Sequence, residues 1–285
     1  MSAVIRPPRE EDVPEVVRLM GEHWPEPVDE DSVRRSWTSP RVELQNDVRL
    51  DDQSYAMVEI LGDTRVWIDL RGTPSPEIFD WAEARALELG QRLFSGAWSS
   101  HESLLRELER RRFRLIRHSH RMEIDLGVPT PEPEWPEGVE TRTFRPGDER
   151  VFYETERETF ADTWEPIEET FEEWEHWMLQ PPAFVPDLWF LALAGDEAAG
   201  FALCHPHSGN DELGWVRILG VRRPWRRRGL GRALLLHAFS ELRQRGFRLA
   251  GLGVDAESLT GANRLYEQVG MRVSARFDIY EKTVA

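Results

Sequence analysis

The chain of 285 residues reads as an α/β (α+β) protein: two tandem copies of one unit, each a mixed, partly antiparallel sheet flanked by helices. Three observations predict it. An aliphatic run at 218–221 ends in an arginine-rich turn holding Gly229 and Gly231, and a helix-forming pattern begins at once. A strand-then-helix design near the N-terminus returns after residue 140, and the alternating segments 113–126 and 271–284 match in character. Between the halves, residues 127–138 hold four prolines among alternating acids, the composition of a stiff, extended linker. The expected organisation is a domain over 1–126, a linker over 127–138 and a second domain over 139–285.

Taken in order, residues 5–12 extend as a strand and 13–20 form a helix, with Asp12 at the N-cap and Pro14 tolerated in the first turn. A strand at 64–70 leads through Arg71, Gly72, Thr73, Pro74, Ser75 and Pro76 into a helix ending near Leu89. Two prolines there remove N–H groups that a ligand would need. In the second half, 141–148 and 149–159 repeat the opening design. Residues 170–179 are amphipathic, with Phe171, Trp174 and Met178 at helical spacing and acids toward water. A strand at 200–204 precedes the one ending at Val221. The helix at 230–245 closes on Arg243 and Arg245 before Gly246. A strand at 247–254, a helix carrying Tyr266 and a final strand complete the chain.

Composition sets bounds. Twelve tryptophans and 40% hydrophobic residues supply ample core. A formal charge of −16 argues against nucleic acid, whose phosphates dominate that affinity; it suits a cationic substrate or simply a soluble acidic protein. One cysteine, Cys204, excludes an internal disulfide and fits a reducing, cytoplasmic setting. No apolar leader and no membrane-length run is visible. The lone cysteine and scattered histidines lack metal-ligand spacing, so no metal is expected.

The turn at 222–232 carries the chemistry. A helix start has unpaired N–H groups and a partial positive charge, which attract phosphate. Gly229 and Gly231 admit a ligand close to the backbone, and Arg226, Arg227, Arg228 and Arg232 add charge, as a pyrophosphate requires. A Walker loop would need Gly-Lys-Ser/Thr, and a dinucleotide fingerprint a third glycine and a later acid.

Arg226-x-x-Gly229-x-Gly231, after Leu219, Gly220 and Val221, resembles the acetyl-CoA motif of the GNAT N-acetyltransferases. The block from Asp255 through Tyr266 to Met271 resembles that family's Asn-x-x-Ala-x-x-Leu-Tyr-x-x-x-Gly-Phe helix. In the first half, the glycine turn is missing and Leu108 stands where the second half has Tyr266, so that copy reads as a degenerate domain binding no coenzyme A. Tandem chains with a worn first half resemble the mycothiol synthase group. The resemblance implies acetyl transfer from acetyl-CoA to an amine by direct attack. Leu219, Gly220 and Val221 would line the pantetheine arm, 226–232 (Leu230 included) the pyrophosphate, and Tyr266 would protonate the departing sulfur. Ser258 stands near the family asparagine, displaced by one residue. Tyr266 packing its helix is the plainer alternative.

The general base is where the sequence departs from the group. Trp215 occupies the position where a strand glutamate is common. Glu212 is the first substitute; Asp211, His205, His207, Asp255, Glu257 or a water chain are others. Asp162, Trp164 and Glu165 are candidates for receiving the substrate, since acids among aromatics suit an amine. A small-molecule amine is the expected acceptor. A peptide or protein amine, or a non-catalytic acyl-CoA-binding protein, are the alternatives, and the tandem design suits a monomer.

Overall fold

The computed structural model describes residues 4–25, 28–62, 64–164, 166, 169–180, 184–208, 210–258 and 260–284. Two compact units are present: Met1–Ser119 with Ala275–Ala285, and His120–Ser274. These bounds differ from a break at 127–138. The chain changes unit within strands, at 119/120 and 274/275. Period-2 alternation marks a strand but does not say which sheet receives it.

The first half runs α1 (Val13–Gly21), α2 (Glu30–Trp37), α3 (Leu44–Asp47), β1 (Val48–Leu50), β2 (Ser54–Ile60), β3 (Arg65–Gly72), α4 (Pro76–Leu89), β4 (Arg92–Trp98), α5 (Glu102–Arg110) and β5 (Arg114–Asp125). The second runs β6 (Val139–Thr143), α6 (Glu149–Phe160), α7 (Phe171–Met178), β7 (Trp189–Ala194), β8 (Glu197–Pro206), β9 (Leu213–Val221), α8 (Leu230–Gln244), β10 (Leu249–Asp255), α9 (Ala262–Gln268) and β11 (Arg272–Thr283).

In the first unit, β1, β2 and β3 form an antiparallel meander, α4 carries the chain to β4 parallel to β3, and β11 pairs antiparallel with β4 over Phe277–Thr283. Ser75 caps α4 through the Ile78 N–H, with Pro76 at the first helical position. Tyr280 of β11 is buried against Leu93, Leu104 and Phe113.

In the second unit, the strand order is β5-β10-β9-β8-β7-β6. Aliphatic residues of α8 cover one face: Leu234, Leu235, Phe239 and Leu242 pack on Ala202, Val216 and Leu252. Aromatic residues of α6 and α7 cover the other, where Phe152, Trp174, Trp189 and Phe201 form one cluster. Thr170 and Glu173 close a capping box on α7, which fixes that helix's start.

The internal duplication is visible in side-chain geometry. Arg6 holds Asp12 bidentately, and Asp12 also accepts the Arg9 N–H at 2.7 Å. Arg142 holds Asp148 in the same way, and Asp148 accepts the Arg145 N–H at 2.7 Å. Each arginine lowers its aspartate's pKa, chiefly through that hydrogen bond. Asp12 is the N-cap residue of α1 as expected, and Asp148 that of α6, but neither caps through a side-chain bond; the carboxylate instead ties the preceding strand to the helix start. Among the described residues no helix is long and apolar enough to cross a membrane.

Candidate functional site

The site begins with two parallel strands that part. On one side β9 pairs antiparallel with β8 from Gly214 to Val221. On the other it pairs with β10 only where Leu213, Gly214 and Trp215 meet Leu249, Ala250 and Gly251. Among the described residues, 216–221 have no strand partner on that side, and apart from the Val221 carbonyl, which Arg226 meets, the edge offers donors and acceptors to a ligand. The indole of Trp215 lies over Gly251, where an added Cβ would sit 2.6 Å from the ring, so bulk is inserted at the last paired position. A bulge follows: Val216 faces Cys204, Ile218 faces Leu203, and Arg217 is the extra residue. Val216 thus packs toward α8 while Ile218 joins the α6–α7 face. Gly220 also faces α6, since a Cβ there would lie 2.8 Å from the Thr159 hydroxyl oxygen.

Beyond Val221 the chain turns sharply. Arg227 has φ +60° and Gly229 φ +86°, and Gly229 is the N-cap of α8. A glycine cap offers no side chain to the first-turn N–H groups, and that turn holds no acidic residue. The positive end of a fifteen-residue helix is therefore open. A Cβ built on Gly229 would meet nothing within 4 Å, so the approach is unobstructed.

The arginines divide into two sets. Arg222 pairs with Glu158 at 2.6 Å and Glu197 at 2.9 Å. Arg223 pairs with Asp162, and Arg226 donates to Asp162, to the Thr159 carbonyl and to the Val221 carbonyl. Those three fasten the turn to the end of α6. Arg227, Arg228 and Arg232 have no carboxylate partner among the described residues, and Arg228 lies 5.0 Å from the Trp225 ring. Arg226 differs from the phosphate role read for it, because each of its three nitrogens already donates to a protein oxygen.

On the far side, α9 begins at Gly261 (φ +77°) and buries Tyr266. Burial pushes the phenol up to about 12, so it carries its proton at any ordinary pH. Its hydroxyl has no hydrogen-bond partner among the described residues and is not among the sealed polar atoms. Ser258 is half-buried, and its hydroxyl meets that of Thr260 at 3.0 Å. The tie from α9 back to β10 comes from Asn263, whose amide donates to the Asp255 and Ala256 carbonyls while its Oδ1 is buried without a partner.

The acids fall differently from expectation. Glu212 is exposed at the start of β9, 3.5 Å from Arg248, roughly 20 Å along the strand from Leu219. That distance removes it from the 219–221 end of the free edge. His205 and His207 lie near the same end and contact the Pro206 and Ser208 carbonyls; Asp255 folds back on the Glu257 N–H. Trp215 holds the strand position itself, beside His207 and Arg121. Asp162 is engaged by Arg223 and then Arg226, which bring its pKa down to about 2, and so it already has two cationic partners. Trp164 is partly buried, and Glu165 lies outside the described residues.

One acid was missed. Glu156, on α6, accepts a 2.9 Å hydrogen bond from the Trp174 indole. Burial pushes its carboxyl up to about 7, opposed by that hydrogen bond; Glu169 adds to the rise and Arg217 opposes it. The signal was available: Glu156 falls on the helix face marked by Phe152, Thr155 and Thr159, where an acid is unexpected.

Comparison with known proteins fits this geometry. The acetyltransferase (GNAT) family profile matches residues 150–271. Mycothiol acetyltransferase of Thermobispora bispora is 39% identical over 155 residues, 53% of this chain and 52% of that one, so the chain spans about half the length of that relative. Mycothiol acetyltransferase of Thermobifida fusca is 31% identical over 245 residues, 83% of this chain and 68% of that one. The crystal structure of a GCN5-related N-acetyltransferase from Sphaerobacter thermophilus superimposes with a TM-score of 0.77 at 32% identity, covering 99% of this chain and 95% of that one. Strands that part before an uncapped, arginine-flanked helix, together with relatives matching along nearly the whole chain, make this protein a member of the GNAT family of acetyltransferases.

Proposed function

We propose that the second unit transfers an acetyl group from acetyl-CoA to the primary amine of a small molecule. The observation that carries this is the free edge of β9 leading directly into the open N-terminus of α8. The residues present fit acetyl-CoA: Arg227, Arg228 and Arg232 surround the helix start, and Gly229 leaves room for a diphosphate against the backbone. Residues 219–221 would pair with the pantetheine arm, and a backbone N–H of that edge would support charge developing on the thioester oxygen. When bound, the coenzyme supplies an activated acyl carbon. Tyr266 would hold a proton for the departing thiolate, which is more basic in an apolar setting than in water. Arg226 and Asp162 would act indirectly, by ordering the turn. The first unit, with Leu108 buried where the second has Tyr266, would bind no coenzyme. Relatives called mycothiol acetyltransferase favour a small amine over a peptide.

Calorimetric titration with acetyl-CoA tests the reading. One site per chain is expected, and replacing both Arg227 and Arg228 by Glu should weaken it at least tenfold, since charge-assisted hydrogen bonds contribute about 1.5–3 kcal/mol each. Two sites would overturn the account of the first unit. No binding by the folded protein would sink the enzyme reading. With an amine substrate in hand, Tyr266→Phe should lower kcat by about 10²–10⁴ while leaving acetyl-CoA affinity close to that of the parent.

A further inference from the structure

We propose that Glu156 is the catalytic base, the group that takes the proton from the substrate ammonium. This rests on the acetyl-transfer reading above.

The geometry comes from three elements. On α6, Glu156 and Thr159 are one turn apart on the same face. Thr159 marks where that face meets β9, because its hydroxyl lies 2.8 Å from a Cβ built on Gly220. Its carbonyl also receives Arg226 from the turn. A carboxylate one turn earlier therefore lies beside the stretch of β9 that has parted from β10, on the face opposite α8. From α7, the Trp174 indole donates to Glu156 Oε2, which fixes the carboxylate's orientation and leaves Oε1 for a second partner. Trp174 is itself immobilised, 1% exposed and packed against Tyr153 and Trp189. From β9, the bulge at Arg217 places Ile218 on the α6–α7 face.

The charges around the carboxylate are few. Among the described residues Glu156 has no ion pair at contact distance. Glu169 repels its charge and Arg217 attracts it, both more weakly than burial acts. Solvent still reaches part of the residue, so a small cation has a route to it. A carboxyl in such a setting titrates near neutrality, where it is both available and strong enough to deprotonate an ammonium. Trp215, at the strand position, has no basic atom to offer.

The step balances without a further reactant. Glu156 takes one proton from R–NH3+, and the freed nitrogen lone pair forms a C–N bond to the thioester carbon. The carbonyl electrons move to oxygen and return as the C–S bond breaks. The sulfur leaves with its electron pair and takes the Tyr266 proton. The surplus proton on nitrogen passes through solvent to restore the tyrosine, and Glu156 releases its proton to water.

The test uses full-length protein, Glu156→Gln and Glu156→Asp, with acetyl-CoA affinity, kcat/KM across pH for a panel of primary amines, and carbon NMR of protein labelled at the glutamate carboxyl. The parent should show an acid limb with an inflection near 7, matched by a Glu156 resonance titrating there before acetyl-CoA is added. Glu156→Gln should bind acetyl-CoA within twofold of the parent, lose about 10²–10⁴ in kcat/KM and lose the inflection; Glu156→Asp should keep the inflection at intermediate rate. A Gln variant with parental rate and pH profile overturns the proposal, as does a Glu156 resonance titrating between about 4 and 5. Loss of acetyl-CoA binding in the Gln variant marks a structural role and overturns it equally. A parent that binds acetyl-CoA yet acetylates no amine instead sinks the transfer reading itself, and the base with it.

Discussion

Glu156 shows how far a single residue departs from its sequence context. Its neighbour Trp174 is eighteen positions away, so nothing local announced the buried hydrogen bond. Tyr266 was legible because its motif is contiguous; for Glu156 the helix face marked an unexpected acid, but its partners were not legible, because they come from α7 and β9. Its elevated pKa also has a thermodynamic signature. Between the ordinary value of 4.5 and about 7 the folded state binds more protons than the unfolded state. Stability from this carboxyl is therefore full below the unfolded pKa and is lost as pH rises through the folded one. Relative to Glu156→Gln, the parent should match the variant near pH 4 and fall behind it by up to about 3 kcal/mol at pH 8. Urea midpoints of both proteins at the two pH values measure this. Asp162 runs the other way: Arg223 and Arg226 depress its pKa to about 2, so its contribution is present above 3.8 and lost on acidification.

At the level of elements, α8 and the turn before it were readable because the turn holding Gly229 and Gly231 follows an aliphatic strand and runs without a break into a helix-forming pattern. The division of labour among the turn's arginines was not, because Thr159 on α6 and Asp162 just past its end reach the turn. Asp162→Asn should loosen the segment, seen as faster amide exchange over 222–229 and weaker acetyl-CoA binding with little change in melting temperature. The parting of β9 from β10 was likewise invisible in either strand alone; it begins just past the Trp215–Gly251 pair, where the bulge at Arg217 follows. Gly220 sits where that edge touches α6. Gly220→Val would drive methyl groups into the Phe201 ring, 2.5 Å from an added Cβ, and should cost about 1–3 kcal/mol in chemical denaturation.

For the molecule as a whole, the two-unit organisation was legible and its seam was not. Segments 113–126 and 271–284 were recognised as equivalent strands, yet residues 275–285 belong to the first unit. There Tyr280 fills the core, and Asp278 accepts a 2.7 Å contact from His118. Removing residues 275–285 should therefore unfold the unit farther from them in sequence. Losing Tyr280 alone forfeits about 3–5 kcal/mol. Hydrogen exchange should show lost protection across 54–98 and retained protection across 213–255; the reverse pattern would contradict the assignment. The same feature bears on biosynthesis. Strand β4 is made early, but its partner β11 follows only after the whole second unit has been translated, a delay of roughly 10–30 s at ordinary elongation rates. Throughout that interval one edge of β4 has unmet hydrogen bonds and is open to mispairing with other nascent chains. The first unit is thus completed only after the second has been synthesised.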